Sequence, residues 1–182
     1  MLRDRKVTFE GAAMEVGKFA NCASGISVVD FENVEKDLRY TLPVAFRMQY
    51  LVSNGGNPVN ALFKNEGCGE PLEVVGFYPI KYNTSAYETK DSLLVEHYRV
   101  MFGRGVIPAN LLPFAHDPGG NFFCIDMNDG GVVFYATDAL DPDLSAEENH
   151  AAVQIALASS FELFMHQLSG DANFDSDEWP ED

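Results

Sequence analysis

Along the chain the spacing of apolar residues changes several times, and each change predicts an element. Phe31, Val34 and Leu38 stand at i, i+3 and i+7, one face of a helix starting near Ser27, with Ser27 and Asp30 as cap residues. Thr41-Leu42-Pro43 breaks that pattern, and Pro43 is expected to open a second helix at its first turn. Phe46 and Tyr50 stack at i, i+4 within it. Asn54-Gly55-Gly56 is expected to stop it, because glycine accepts the left-handed conformation that closes a helix.

Elsewhere along the chain the runs are shorter. Val7 to Phe9 reads as a short strand, and so does Glu73 to Ile80, which is rich in β-branched and aromatic residues and ends at Pro79. Asp91 to Phe102 predicts a helix with Leu94, Tyr98 and Met101 on one side. Leu111 to Ala115, Asn121 to Met127 and Val132 to Thr137 read as strands. His116-Asp117-Pro118-Gly119-Gly120 is a turn by its composition, and Asn128-Asp129-Gly130-Gly131 is a hairpin connection. Residues 138–150 read as an acidic loop, followed by a strand over Gln154 to Ala158. Ser159 is expected to cap a last helix with Glu162 three residues on, and Phe161, Phe164, Met165 and Leu168 form its buried face.

Composition narrows the class. Apolar residues make up 46% of 182 residues, which excludes a disordered chain and suits one sizeable core. No apolar run is long enough to span a bilayer. The opening residues Met1-Leu2-Arg3-Asp4-Arg5-Lys6 lead into no apolar stretch, so the expectation is a cytoplasmic protein without membrane attachment. Cys22, Cys68 and Cys124 make no CxxC pair and are expected to be reduced thiols.

Charge changes the picture more. The net charge is −16, and all 12 Lys and Arg lie at or before Arg104. Of the 28 acids, 13 precede residue 105 and 15 follow it, so the first part nets −1 and residues 105–182 net −15. Such a field repels nucleic acid, whose binding rests on cationic side chains neutralising phosphates. An acidic surface has two readings, plain solubility or complementarity to a basic partner.

Each candidate for chemistry meets a simpler explanation. His116-Asp117 lacks further ligands at metal spacing, and its Asp suits the turn behind it. Asp126, Asn128 and Asp129 resemble the start of a calcium loop, but Gly130, Gly131 and Thr137 stand at its fifth, sixth and twelfth positions, where the pattern fails. Cys124 sits in an alternating strand, the setting of a buried thiol, and Cys68 sits in a glycine loop with no base marked beside it. Asp117 and Asp126, as paired carboxylates, are two acids at strand ends. Gly103-Arg104-Gly105 and Gly119-Gly120 lack the residues of a phosphate loop. Neither a cofactor nor a metal is expected, and an enzyme would need a metal or a reactive thiol.

The ordered series of motifs resembles the SUKH superfamily, the Smi/Knr-like domains. It runs from Leu42-Pro43 and Asn54-Gly55-Gly56 through Gly76-Phe77-Tyr78-Pro79 and Leu111 to Asn121. It continues with Phe123-Cys124-Ile125-Asp126, Val132 to Tyr135, and Ser159 to Phe164. Pro43, Asn54, Gly55, Gly56, Asp117, Gly119, Gly120 and Asn121 carry it as structural positions. The resemblance divides the chain into an extension over 1–26, the domain over 27–168 and an acidic tail over 169–182. It implies an α+β fold, a single domain with a mostly antiparallel twisted sheet flanked by helices at both chain ends. It also implies a non-catalytic protein-binding domain. Bacterial members are similar to immunity proteins that neutralise toxins, many of them nucleases or nucleic-acid deaminases; eukaryotic members resemble regulatory scaffolds. Joined to the charge split, the expected partner is a basic toxin domain, met by Asp138, Asp141, Asp143, Glu147 and Glu148. The chain itself is expected to be a monomer or homodimer.

Overall fold

The computed structural model describes residues 6–9, 12–64, 70–82 and 92–170. Two strands, β1 (Lys6–Phe9) and β2 (Ala12–Glu15), form an antiparallel hairpin that pairs with no other strand among the described residues. β3 (Phe19–Ala20) follows, then α1 (Val28–Leu38) and α2 (Val44–Val52). Ser27 caps α1 in a complete capping box: its hydroxyl accepts from the Asp30 amide and the Asp30 carboxylate accepts from the Ser27 amide. The helix closes on Arg39, held at φ +53°. Pro43 stands one residue before α2, as its N-cap and not within its first turn.

Asn54-Gly55-Gly56 has a different job from the one its composition predicts. α2 ends at Ser53, whose backbone is extended, so no glycine closes the helix. Gly55 and Gly56 take φ +67° and +100° because the chain must run flush against a strand. A Cβ on Gly55 would lie 2.7 Å from the Pro79 nitrogen, a clash with backbone that cannot relax. Gly56 and Phe77 exchange backbone hydrogen bonds at 3.1 and 2.8 Å. The buried Asn54 side chain completes the junction, accepting from the Ile80 amide and donating to the Ser24 and Lys81 carbonyls.

Short strands come next: β4 (Asn57–Pro58), β5 (Leu62–Phe63), β6 (Leu72–Glu73) and β7 (Gly76–Phe77). The single strand expected over Glu73 to Ile80 is divided. Val74 donates its amide to Ala61 and Val75 donates to His116, so the chain crosses from one sheet to another between them. α3 (Leu94–Gly103) precedes the main hairpins β8 (Leu111–His116), β9 (Phe122–Asp126) and β10 (Val132–Tyr135). After α4 (Ala146–Ala152) come β11 (Gln154–Ala158), α5 (Phe161–Gln167) and β12 (Leu168–Ser169). The cap of α5 is Ser160, whose hydroxyl accepts from the Leu163 amide; Ser159 lies outside the helix and forms no box with Glu162.

The principal sheet has five antiparallel strands in the order β11-β10-β9-β8-β7. β12-β5-β6 and β3-β4 form smaller antiparallel sheets. The fold is therefore α+β. Alternate residues of the central strands enter two cores. Phe123, Ile125, Val132 and Phe134 face the larger one, with Phe31, Phe46, Tyr50, Phe161 and Phe164 of the helices. Phe122, Cys124 and Tyr135 face a smaller one beside α3, with Ile107, Leu111 and Val153. Burial on both faces is why these strands are apolar at successive positions. At Pro113, which has no amide to donate, the β8-β9 register shifts and Phe114 is the extra residue. None of the described helices is long and apolar enough to cross a membrane.

Candidate partner-binding surface

β10 and β11 are neighbours in the sheet, yet residues 137–152 lie between them. Ala136 donates its amide to the Val153 carbonyl at 3.0 Å, closing the base of this excursion. The excursion is not the loop its acidic composition predicts. It holds a 3-10 turn over Thr137–Ala139 and the helix α4. α4 is too short to show apolar periodicity, which hid it.

Three buried polar groups set its shape. Asn121, at the end of the turn after β8, is 5% exposed. Its backbone amide donates to Asp117 Oδ1 at 2.8 Å, and its Nδ2 donates to Asp117 Oδ2 and Asp138 Oδ2 at 3.0 and 3.2 Å. Its Oδ1 accepts from the Thr137 hydroxyl and the Asp138 amide. The turn residues Asp117, Gly119, Gly120 and Asn121 are thus joined to the first acid of the excursion. Gly120 takes φ +84° to make that turn. Within the His116-Asp117 dipeptide it is Asp117 that ties the turn, through the Asn121 amide and side chain.

Asn149, on α4, is the second group. Its side chain accepts from the Asp141 amide and donates to the Asp141 carbonyl, both at 2.7 Å. Tyr135 is the third. Its hydroxyl donates to the Val106 carbonyl at 2.8 Å, so His150 Nδ1, 2.6 Å away, donates to the same oxygen. Burial pushes the Tyr135 hydroxyl up to about 12. α4 is therefore seated on the sheet by its histidine and on the loop by its asparagine.

The five predicted acids all lie on this excursion and are exposed, but they divide by what they do. Asp138 joins the Asn121 network. Asp141 Oδ1 accepts from the Asp143 amide at 2.8 Å. Glu148 closes a capping box with Ser145, accepting from its amide at 2.9 Å and its hydroxyl at 2.6 Å. The Ser145 hydroxyl holds the Glu148 carboxyl below the usual carboxylate range, with the Ser145 amide second. The carboxylates of Asp143 and Glu147 make no hydrogen bond among the described residues. Among the described residues no Lys or Arg forms an ion pair with any of the five, and residues 105–182 contain neither residue type.

The remaining sequence candidates do not converge. Asp117 and Asp126 stand at opposite ends of the β8-β9 pair, where His116 faces Phe122 and Leu111 faces Asp126, so they are no carboxylate pair. Asp126 and Asp129 serve the β9-β10 turn, accepting from the Asn128 and Gly131 amides. Cys124 is fully buried, and burial pushes its thiol well up. Cys22 is exposed, and Cys68 lies outside the described residues. No group of three His, Cys, Asp or Glu arranged to hold a metal occurs among the described residues. A cleft of about 390 Å³ opens elsewhere, between residues 16–19, 58–60 and the α5-β12 segment, and none of the five acids lines it.

Comparison with known proteins places this architecture. The profile of the SMI1 / KNR4 family (SUKH-1) matches residues 25–167. A search of curated proteins finds no match.

Proposed function

The chain belongs to the SMI1 / KNR4 family (SUKH-1), and from that premise we propose that it is a non-catalytic immunity protein whose excursion binds and neutralises a basic toxin domain. The observation that carries the reading is the placement of charge. Five acids stand exposed on one ordered segment, and none of them pairs with a Lys or Arg among the described residues. Acids that merely keep a protein soluble need no such segment. Here two buried asparagines, a tyrosine-histidine contact and a capping box hold the segment that carries the carboxylates, and charges on an ordered backbone lose less entropy when a partner meets them.

The partner that fits is a protein with a cationic cleft, such as the phosphate-binding groove of a nuclease or nucleic-acid deaminase. Carboxylates on a fixed frame occupy such a groove as phosphates do.

Affinity capture from the native cell, using the tagged full chain at low and high salt, tests the proposal. The expected catch is a basic toxin domain, released as salt rises and lost with the double variant Asp143→Lys/Glu147→Lys. These two acids are the informative ones, because neither holds the fold. A housekeeping enzyme or signalling protein, retained equally by both chains at both salts, would replace this reading with a regulatory module.

A further inference from the structure

The acidic excursion leads straight into β11, the outermost strand of the principal sheet, and no other described strand lies beyond it. The Ala136 amide donates to the Val153 carbonyl, which puts these two residues at a hydrogen-bonded position of the ladder, while the Val153 amide turns to Asn149. In an antiparallel ladder such pairs alternate with unbonded ones. Tyr135 and Gln154 are then unbonded, Phe134 and Ile155 bonded, and Val133 and Ala156 unbonded, following the observed register. Gln154 and Ala156 accordingly turn their amides and carbonyls away from β10, outward from the sheet. Ile155 and Ala156 point to opposite faces, and both are exposed, so the edge is uncovered there from either side. The segment Gln154-Ile155-Ala156 carries no charge and no proline. Natural edges are normally blunted by one or the other.

Charge decides what fits this edge. α4, which carries Glu147 and Glu148 in its first turn, leads into the Gln154 end of the edge. At its Ala158 end stand Asp129, in the turn before Val132, and Glu162, in the first turn of α5. A second copy laid antiparallel on β11 would set the acids of one end against the acids of the other. The chain's own residues 171–182 carry six acids and meet the same repulsion.

We infer that the Gln154–Ala156 edge receives an extended, basic-ended segment of a protein partner as an added strand. Main-chain bonds give the grip, and Lys or Arg at the ends of the segment meet the flanking acids. The inference rests on the proposed partner-binding reading and names its mode.

A synthetic probe tests it: an alternating Val/Thr peptide with two Lys at each end, against the same peptide with Glu in place of Lys. Affinity is read by fluorescence anisotropy on the full chain. The Lys-ended peptide is expected to bind, and the Glu-ended peptide at least about tenfold more weakly, as expected for charge-complementary recognition. Ala156→Pro is expected to abolish binding while leaving the fold intact, because proline is tolerated on an edge where its missing amide faced solvent. Amide exchange on the unaltered chain gives a second readout that needs no variant, with slowing at Gln154 and Ala156 once the peptide is added.

Unchanged binding by Ala156→Pro, or protection elsewhere, overturns the inference. Self-association of the chain that Ala156→Pro abolishes also overturns it, in favour of a second copy. If Asp143→Lys/Glu147→Lys releases the captured toxin and Ala156→Pro does not, the edge falls and the immunity reading stands. If neither variant releases it, both fall.

Discussion

α1 and α4 begin with the same device and differ in what surrounds it. Each starts on a serine whose hydroxyl accepts from the third helical residue, and each has an acid at that residue reaching back to the serine amide. At α1 the acid is Asp30, and Lys81 adds an ion pair at 2.8 Å. At α4 the acid is Glu148, and among the described residues its partner is Ser145 alone. The contrast extends to the two regions. Glu35 pairs with Arg47, and Asp37 and Glu96 pair with Arg99, all in the part that nets −1. In the excursion the carboxylates of Asp138, Asp141 and Glu148 accept from amides and a hydroxyl, which fix position without cancelling charge. A fold needs only the first half of that arrangement. On the proposed reading, the uncancelled half is what a partner meets.

The comparison breaks most severely at Asn121. Asn121→Leu keeps the volume and removes every bond that ties the β8-β9 turn to Asp138, leaving the Asp138 amide and carboxylate without those partners, while Asp117 keeps the backbone amide of residue 121 and Thr137 keeps the Gly120 carbonyl. A loss of about 2–4 kcal/mol is expected, measured by urea unfolding, with partner binding weakened because Asp138 is released. A variant as stable as the parent would show that the excursion is not held from this point.

A smaller effect sharpens the difference between the caps. Asp30 titrates at about 2 against an ordinary 3.8, chiefly because Lys81 hydrogen-bonds it and secondarily because Ser27 does. A depressed carboxyl stabilises the fold above its unfolded value. Its contribution is complete at neutral pH and disappears as pH falls from 3.8 towards 2. Lys81→Met is expected to raise Asp30 while leaving it below the ordinary value, since Ser27 still donates. Glu148, which never had a lysine, is expected not to move. Carboxyl carbon NMR titration of the parent and of Lys81→Met reads this directly. An Asp30 unmoved by loss of Lys81 would contradict the account of the first cap.

How much of this was legible in the chain depends on the range of the interaction. The Ser27 box, the Asn128 to Gly131 hairpin and the apolar runs of the central strands are local and were readable. Ser145-Ala146-Glu147-Glu148 is also a local capping pattern, but the helix behind it is buried only at Asn149, so composition made it look like a loop. The adjacent Ser159 and Ser160 offered two caps, and the Glu162 spacing favoured the wrong one. Glu73 to Ile80 has uniform strand propensity, and only its partners, Ala61 on one side and His116 on the other, divide it. The five acids were identifiable by composition. Which of them hold the fold and which stand free was not, because Asn121, Asn149 and Tyr135 act across 8 to 17 residues of sequence.

Amide hydrogen exchange of the full chain, alone and with its captured partner, tests the central claim most directly. The account predicts slowed exchange across residues 138–156, in the excursion and the edge it leads into, and little change in α1 and its ion-paired surroundings. Protection centred on the cleft beside Val16, Phe19 and Met165, with the excursion unchanged, would contradict it.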